Sequence, residues 1–145
     1  MTGVQTCALP ISKARIAESR VWRKRFGGGM RQVGIIAAAG HFALDHNIDR
    51  IADDHRRATT LADRITTFAP HAIAPVDTNI ILIDLSGSTI DAASFVAAAK
   101  ERSIWVSALG PKIVRLITHL DINDADIDRA SEVLASLLQK AFVTK

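Results

Sequence analysis

Several features that would place a protein in a class at once are scarce in this sequence. It contains one cysteine, Cys7, which excludes an internal disulfide framework and favours a reduced, cytoplasmic setting. No apolar run approaches the roughly 20 residues of a membrane-spanning helix, and the start of the chain lacks the basic residues of a signal peptide. The formal net charge is only +3, too small to imply a nucleic-acid or membrane partner by itself.

The common chemical motifs are missing as well. No G-x-G-x-x-G follows a predicted strand, and no glycine-rich loop ends in the G-K-[ST] of a phosphate loop. The five histidines show no metal-ligand spacing, so no metal site is predicted. No serine lies in the setting of a nucleophile elbow. The sequence therefore lacks the signatures of the usual nucleotide, zinc and serine-hydrolase sites.

Residues 1–11 differ in character from everything after them. They read M-T-G-V-Q-T-C-A-L-P-I, without charge and without helical period. The segment resembles the translation of a common sequencing adapter in which a GTG start codon turns the first Val into Met. We expect these residues to be an adapter-derived, disordered artefact, with the natural sequence beginning near Ser12. A disordered natural tail is the alternative.

The remaining chain is long enough for one domain with a modest core, and its hydrophobic pattern changes from helical to mixed along its length. The first part predicts three helices: a basic one over 13–25, an apolar and mostly buried one over 33–46, and an amphipathic one that ends before Pro70. The second part predicts a strand at 78–85 that is apolar on both sides, a helix at 91–102 capped by Ser88 or Thr89, strands at 104–108 and 112–119, and a last helix capped by Asn123. This order predicts a small β-α-β-β-α unit joined to a helical arm.

A glycine-rich stretch, R-F-G-G-G-M-R-Q, lies between the first two predicted helices. Glycines allow a close approach of the backbone, and the start of the following helix offers unpaired N–H groups. Arg31 is predicted to lie in that first turn, where the helix dipole disfavours a cation. A bound anion would offset that penalty and use both the amides and the guanidinium. A simple hinge between two helices is the alternative.

Arg115 is the second unusual position. In K-I-V-R-L-I-T-H, strand alternation places Arg115 on one face between Ile113 and Ile117. A buried guanidinium without an anionic partner costs several kcal/mol, on the order of 3–5. The partner is either an internal carboxylate, Asp84 or Asp121, or the carboxylate of a ligand, which an arginine binds in a planar, bidentate manner.

Four segments together resemble the low-specificity L-threonine aldolases, in the β-eliminating lyase and threonine aldolase group of pyridoxal-phosphate enzymes. They occur in the order and at roughly the spacing of that family. The segments are R-K-R-F-G-G-G-M-R-Q-V-G-I-I-A-A-A-G, A-L-D-H-N-I-D-R-I-A-D-D-H, T-N-I and V-R-L-I-T-H-L-D-I.

The resemblance implies an α/β fold of the aspartate-aminotransferase type (fold-type I) and cleavage of L-threonine or L-allo-threonine to glycine and acetaldehyde. It implies that Arg115 binds the substrate carboxylate, with Lys24 at the edge of the active site. It places Arg31, with Gly28 and Gly29, near the phosphate of pyridoxal phosphate across a subunit boundary. The implied partners are a small β-hydroxy amino acid and further copies in a homodimer or homotetramer, with no nucleic acid and no membrane.

The chain departs from the family in lacking its Schiff-base lysine, which lies in a serine-lysine-glycine setting. Lys13 follows a serine, but Ala14 and Arg15 come next. No catalytic residue is therefore expected here, and we expect an inactive C-terminal fragment. Its parts would be the adapter at 1–11, helices from the large-domain and interface region at 12–70, and a small C-terminal α/β domain at 71–145.

Two other functions remain open at this stage. One is another lyase of the same fold that acts on a different β-hydroxy amino acid. The other is a stand-alone module that binds an anion or nucleic acid through the basic helix. The basic run 13–31 contains only two aromatic residues, Trp22 and Phe26, and no spaced stacking platform, which makes the nucleic-acid interpretation the weaker one.

Overall fold

The computed structural model describes residues 12–142. The predicted order of three helices followed by β-α-β-β-α is confirmed, and none of the described helices is long and apolar enough to cross a membrane. The adapter-like residues 1–11 lie outside the described range, as do residues 143–145. The elements are α1 (Lys13–Arg25), α2 (Gly34–His46), α3 (Ile51–Thr66), β1 (Ile80–Asp84), α4 (Ala92–Glu101), β2 (Ser107–Ala108), β3 (Ile113–Ile117) and α5 (Asp124–Phe142).

The described residues divide into two compact units, with the boundary between Asp45 and His46. This boundary differs from the predicted one at residue 70, because α3 belongs to the second unit. The amphipathic period of α3 was predicted correctly, but its apolar stripe packs against α5 and β1. The buried apolar residues of that stripe are Ala58, Leu61, Ala62 and Ile65.

The ends of α1 explain much of the glycine-rich stretch. Ser12 begins the helix by accepting a hydrogen bond from the backbone N–H of Arg15 at 3.3 Å, the usual role of an N-cap serine. The helix ends in a Schellman motif, in which the N–H of Gly28 donates to the carbonyl of Arg23 at 2.7 Å and the N–H of Gly27 to that of Lys24 at 3.1 Å. Gly27 has φ +79°, a conformation that favours glycine.

The prediction that α2 is mostly buried is wrong for this chain. None of its residues is buried, and Ile35 and Ile36 are 87% and 60% exposed. The apolar run does form a helix, because no proline interrupts it, but the described residues do not cover it. An exposed apolar surface of this kind marks an interaction site in soluble proteins.

The second unit is built on an antiparallel sheet with strand order β1-β3-β2. One face of the sheet is buried beneath α3, α4 and α5, as the alternation along the strands dictates. We call the opposite face the open face. The first strand is apolar on both sides as predicted, with Ile80 and Leu82 on the open face, but only the other face is fully buried, since Ile80 is 41% exposed. The buried face carries Ile81, Ile83, Val114 and Leu116.

The last helix, α5, forms as predicted. Asn123 accepts a hydrogen bond from the N–H of Asp126 at 3.0 Å, and the carboxylate of Asp126 accepts one from the N–H of Asn123 at 2.9 Å, a reciprocal cap. Its buried stripe packs on α3 and α4 around Phe95, which is fully buried. The predicted stripe residues are buried except Ala130, which is half-buried; they are Ile127, Leu134, Leu137, Leu138 and Ala141.

Two local predictions are corrected. The helix α4 is capped by Asp91, whose carboxylate accepts from the N–H of Ser94 at 2.8 Å. Neither Ser88 nor Thr89 serves as the cap, because the helix begins at Ala92 and the residue directly before it is Asp91; the hydroxyls of Ser88 and Thr89 donate to backbone carbonyls instead. The strand predicted at 104–108 pairs with β3 only at β2, its last two residues.

Candidate functional site

Arg115 lies in the middle of β3, the central strand of the sheet. Its register partners are Leu82 on β1 and Ser107 on β2. Directly opposite residues of antiparallel strands project to the same face. The three side chains therefore form one row across the open face, and the predicted alternation that puts Arg115 on the face opposite Leu116 is confirmed.

The neighbours of Arg115 on the open face are mostly apolar. Ile113 and Ile117 flank it along β3, and Ile80 pairs with Ile117. All three are partly or well exposed to solvent in this chain. A guanidinium set among such side chains loses part of its hydration, and an anion bound to it is attracted more strongly than at a fully wet surface.

The guanidinium of Arg115 lacks an internal carboxylate partner among the described residues. Asp84 instead accepts from the N–H of Ser86 at 2.8 Å, and Asp121 lies 3.6 Å from Nδ1 of His119. The Nε atom of Arg115 is buried and has no hydrogen-bond partner within residues 12–142. An unsatisfied buried donor costs about 1–3 kcal/mol, so this geometry favours a ligand anion over the internal salt bridge.

The glycine-rich stretch places its predicted site residues together in the first unit. A Cβ at Gly28 would lie 2.8 Å from Cγ of Arg23, so this glycine is required by the end of α1 itself. A Cβ at Gly29 would meet only the side chain of Lys24, at 3.9 Å. Lys24 thus lies beside Gly29, and both are exposed.

Arg31 lies just before α2 and outside its first turn, which corrects the predicted position. The helix begins at Gly34, and the carbonyl of Val33 accepts its first hydrogen bond, from Ala37 at 2.9 Å. Gln32, between Arg31 and the helix, has φ +52°. Arg31 is exposed and forms no ion pair with the described residues. It therefore remains a free cation next to the glycines, in the first unit, while Arg115 belongs to the second.

Metal binding finds no support in the part of the chain that is described. Residues 12–142 contain no group of three or more His, Cys, Asp or Glu side chains that could hold an ion. His119 accepts from the N–H of Asp121 through Nδ1 at 3.4 Å, which is a local turn contact.

A cavity of about 430 Å³ in the second unit was not predicted. It lies at the end of the buried face, and its walls include Leu61, Leu116 and Leu134. Within it, the hydroxyl of Thr118 already donates to the carbonyl of Asp54 at 2.6 Å. Its walls also carry polar and charged side chains, among them His119, Asp121, Asp126 and Arg129, so the cavity offers a ligand both apolar and polar contacts. No local sequence pattern indicates it, because its walls come from α3, β3 and α5.

Ion pairs that tie α3 to α5 were also missed. Asp124 accepts from Arg56 at 2.9 Å and from Arg57 at 2.8 Å. Arg50 binds Asp54 through both terminal nitrogens, at 3.1 and 2.6 Å. The two pairs with Asp124 hold α3 against the start of α5, whereas the Arg50–Asp54 pair lies within the start of α3 itself. Because Arg57 and Asp124 are separated by 67 residues, the sequence alone gave no reason to pair them.

The pH dependence of folding should follow from carboxylates of this unit. The side-chain hydrogen bond from Arg57 lowers the pKa of Asp124 below its ordinary value, and hydrogen bonds from Ser94 lower that of Asp91. A carboxyl with a lowered folded-state pKa stabilises the fold above its unfolded pKa, near 4, and loses that contribution as the pH falls through the folded value. We expect the urea midpoint of the chain to drop between about pH 4 and pH 2.

The variant Asp124→Asn should lower the midpoint at pH 7 and flatten its decline in acid. Asp77→Asn is the matched control, since Asp77 is exposed and forms no ion pair with any residue that the structure describes. Equal pH profiles for Asp124→Asn and the unmodified chain would contradict the assignment.

Comparison with known proteins identifies relatives of this chain. Residues 7–88 match the family model described as beta-eliminating lyase. The low specificity L-threonine aldolase of Escherichia coli (strain K12) is 39% identical over 102 residues, which cover 70% of this chain and 29% of that protein. The low-specificity L-threonine aldolase 1 of Arabidopsis thaliana is 29% identical over 136 residues, or 92% of this chain and 37% of that protein. The chain thus spans about a third of the length of these relatives.

Proposed function

The chain belongs to the beta-eliminating lyase family of pyridoxal-phosphate-dependent enzymes, and from this we propose that it is a segment of an aldolase. The proposed reaction is the cleavage of L-threonine or L-allo-threonine to glycine and acetaldehyde. The proposed fold of the whole protein is the aspartate-aminotransferase type, to which this segment contributes the sheet of the second unit and the helices before it.

The observation that carries the proposal is the position of Arg115 and its unsatisfied hydrogen-bond donor. It lies at the centre of the open face, among apolar side chains, with a buried Nε that no described residue satisfies. An amino-acid substrate brings a carboxylate, and a guanidinium can bind both of its oxygens at once. We assign the substrate carboxylate to Arg115 and a place at the edge of the active site to Lys24.

The first unit fits the phosphate end of the cofactor. Arg31 is an exposed cation with no ion-pair partner within residues 12–142, and the chain at Gly29 leaves open space apart from the Lys24 side chain. A phosphate suits such a cationic, glycine-flanked segment. Bound pyridoxal phosphate would withdraw electrons from the substrate Cα and so allow the Cα–Cβ bond to break. Gly28 and Gly29 let the backbone approach the phosphate, and Arg31 supplies the charge.

Assembly with further copies, as a homodimer or homotetramer, is part of the proposal. Exposed apolar side chains within and next to α1 and α2 support it, since such side chains mark interaction surfaces. Examples are Phe26 at 83% and Ile35 at 87% exposure.

A chimaera tests the proposed function. This chain would replace the aligned 136-residue segment of the Arabidopsis thaliana relative, which supplies the remaining length. We expect the chimaera to bind pyridoxal phosphate and to release acetaldehyde from L-threonine, as measured in a coupled NADH assay. The isolated chain should release none, because it contains no serine-lysine-glycine motif.

Cofactor absorbance separates the possible failures. A chimaera that binds pyridoxal phosphate and yet leaves both threonine isomers intact would contradict the proposed reaction. A panel of other β-hydroxy amino acids, offered to the same protein, would then show whether a different substrate of this class is cleaved instead.

A further inference from the structure

In the row that Leu82, Arg115 and Ser107 form across the open face, Ser107 is the neighbour of Arg115 whose side chain can form a hydrogen bond. Ser107 and Arg115 are register partners on adjacent strands, whereas the partner on the other side, Leu82, is apolar. Directly opposite Cβ atoms in such a pair are about 4.5–5.5 Å apart. The side chains that carry Oγ of Ser107 and Nε of Arg115 therefore begin close together, on opposite Cβ atoms of neighbouring strands.

The hydroxyl of Ser107 is not firmly engaged. It is half-buried, and its contact is a long hydrogen bond of 3.4 Å to the backbone carbonyl of Arg115. A rotation about its Cα–Cβ bond would break that weak contact at little cost. A hydroxyl oxygen can accept as well as donate, so Ser107 can serve the unsatisfied Nε–H.

We propose that Ser107 is a positioning residue for Arg115, an inference that rests on the proposed function. When a carboxylate binds, Oγ of Ser107 accepts the hydrogen bond of the buried Nε–H. This contact fixes the plane of the guanidinium across the sheet. Both terminal nitrogens of the guanidinium are then directed at the two carboxylate oxygens, so the substrate carboxylate binds to them end-on.

The alternative acceptors on the open face are less suitable. Asp84, which pairs with Ile113 two positions along β3, already accepts from the N–H of Ser86 at 2.8 Å. The flanking side chains of Ile113 and Ile117 have no polar atom. Ser107 is therefore the neutral acceptor that the strand register brings to Arg115.

A matched pair of variants in the chimaera tests the role. Ser107→Thr keeps the hydroxyl, and Ser107→Val replaces it with a methyl group of similar shape, so both should fold alike in a β-strand. We expect kcat/KM for L-threonine to stay within about twofold for Ser107→Thr and to fall about tenfold for Ser107→Val. A loss of this size is typical when a hydrogen bond to a charged group is removed. The loss should appear in KM and also in kcat, because a guanidinium whose plane is no longer fixed holds the substrate in a less well-defined orientation.

Combination with Arg115→Lys tests whether Ser107 acts through Arg115. A lysine has no Nε–H at that place, so Ser107→Val should have no further effect in the Arg115→Lys background. Ser136→Ala is the control, since it removes a hydroxyl from α5, where Ser136 accepts from Arg102 at 3.2 Å. It should leave kinetics unchanged.

The outcomes separate this inference from the proposed function. If Arg115→Lys impairs cleavage while Ser107→Val does not, or if the two effects simply add, the positioning role is wrong and the carboxylate assignment stands. If Ser107→Thr and Ser107→Val are equally impaired, the hydroxyl is not what matters, and the inference fails. If Arg115→Lys is itself neutral, the carboxylate assignment under the proposed function is overturned.

Discussion

Replacement of Arg115 by lysine should lower kcat/KM for L-threonine at least tenfold in the catalytically complete chimaera, even though the positive charge remains. The guanidinium fixes the position and the plane of a bound carboxylate, whereas an ammonium fixes only its position. A lost charge-assisted pair of this kind is worth about 2–5 kcal/mol, and each 1.4 kcal/mol corresponds to about a factor of ten in rate.

The loss should appear in both kinetic constants. Weaker carboxylate binding raises KM, and a misoriented substrate lowers kcat, because the bond to be broken must stay perpendicular to the cofactor ring. Cofactor absorbance should remain normal, since Arg115 is assigned to the substrate. Steady-state kinetics with the coupled acetaldehyde assay would measure both constants.

Arg129→Lys provides a matched control for the same chemical change. Arg129 lies on α5, is exposed, and donates to the backbone carbonyl of Arg102 at 3.2 Å. This variant should behave as the unmodified chimaera does. Near-normal cleavage by a folded, cofactor-loaded Arg115→Lys protein, with only a modest loss of thermal stability, would show that Arg115 is structural and would remove the carboxylate assignment.

The second large effect concerns the core of the second unit. Phe95→Ala should destabilise the fold by about 3–5 kcal/mol, because truncation of a fully buried phenylalanine removes its transfer free energy and leaves a cavity. Phe95 is 0% exposed and lies where α4 packs between the sheet and α5. Since a domain of this size has a total stability of about 5–15 kcal/mol, the loss should be a large fraction of it.

Urea denaturation of the chain, followed by circular dichroism, would measure this loss. Phe68→Ala removes the same atoms from a residue that is 40% exposed just after α3, and it should cost much less. Equal midpoints for the two variants would show that the second unit is not organised around Phe95.

The sequence by itself determined the elements and the family. The helical periods of α3 and α5 could be recognised in the sequence because each apolar stripe repeats within its own segment. The cap at Asn123 was legible for a similar reason, since it bonds to Asp126 only three residues away. Alternation along one strand also assigned Arg115 to the face opposite Leu116. The family followed from several short segments found in the same order as in its members.

Only the tertiary structure decided how those elements are used. The pairing of Arg115 with Ser107, the ion pair of Arg57 with Asp124 and the cavity walls join residues from different elements of the chain. The choice of Asp91 as the cap depended on where α4 begins, since Asp91 directly precedes its first residue, Ala92.

The exposure of α2 and the boundary near residue 45 are likewise features that only the tertiary structure decided. An apolar period predicts that a helix has a face to bury, but it does not say which surface covers that face. Periodicity and capping are set by neighbours within a few residues, so the sequence reveals them directly. Burial, strand register and the unpaired Nε of Arg115 depend on groups that only folding brings together.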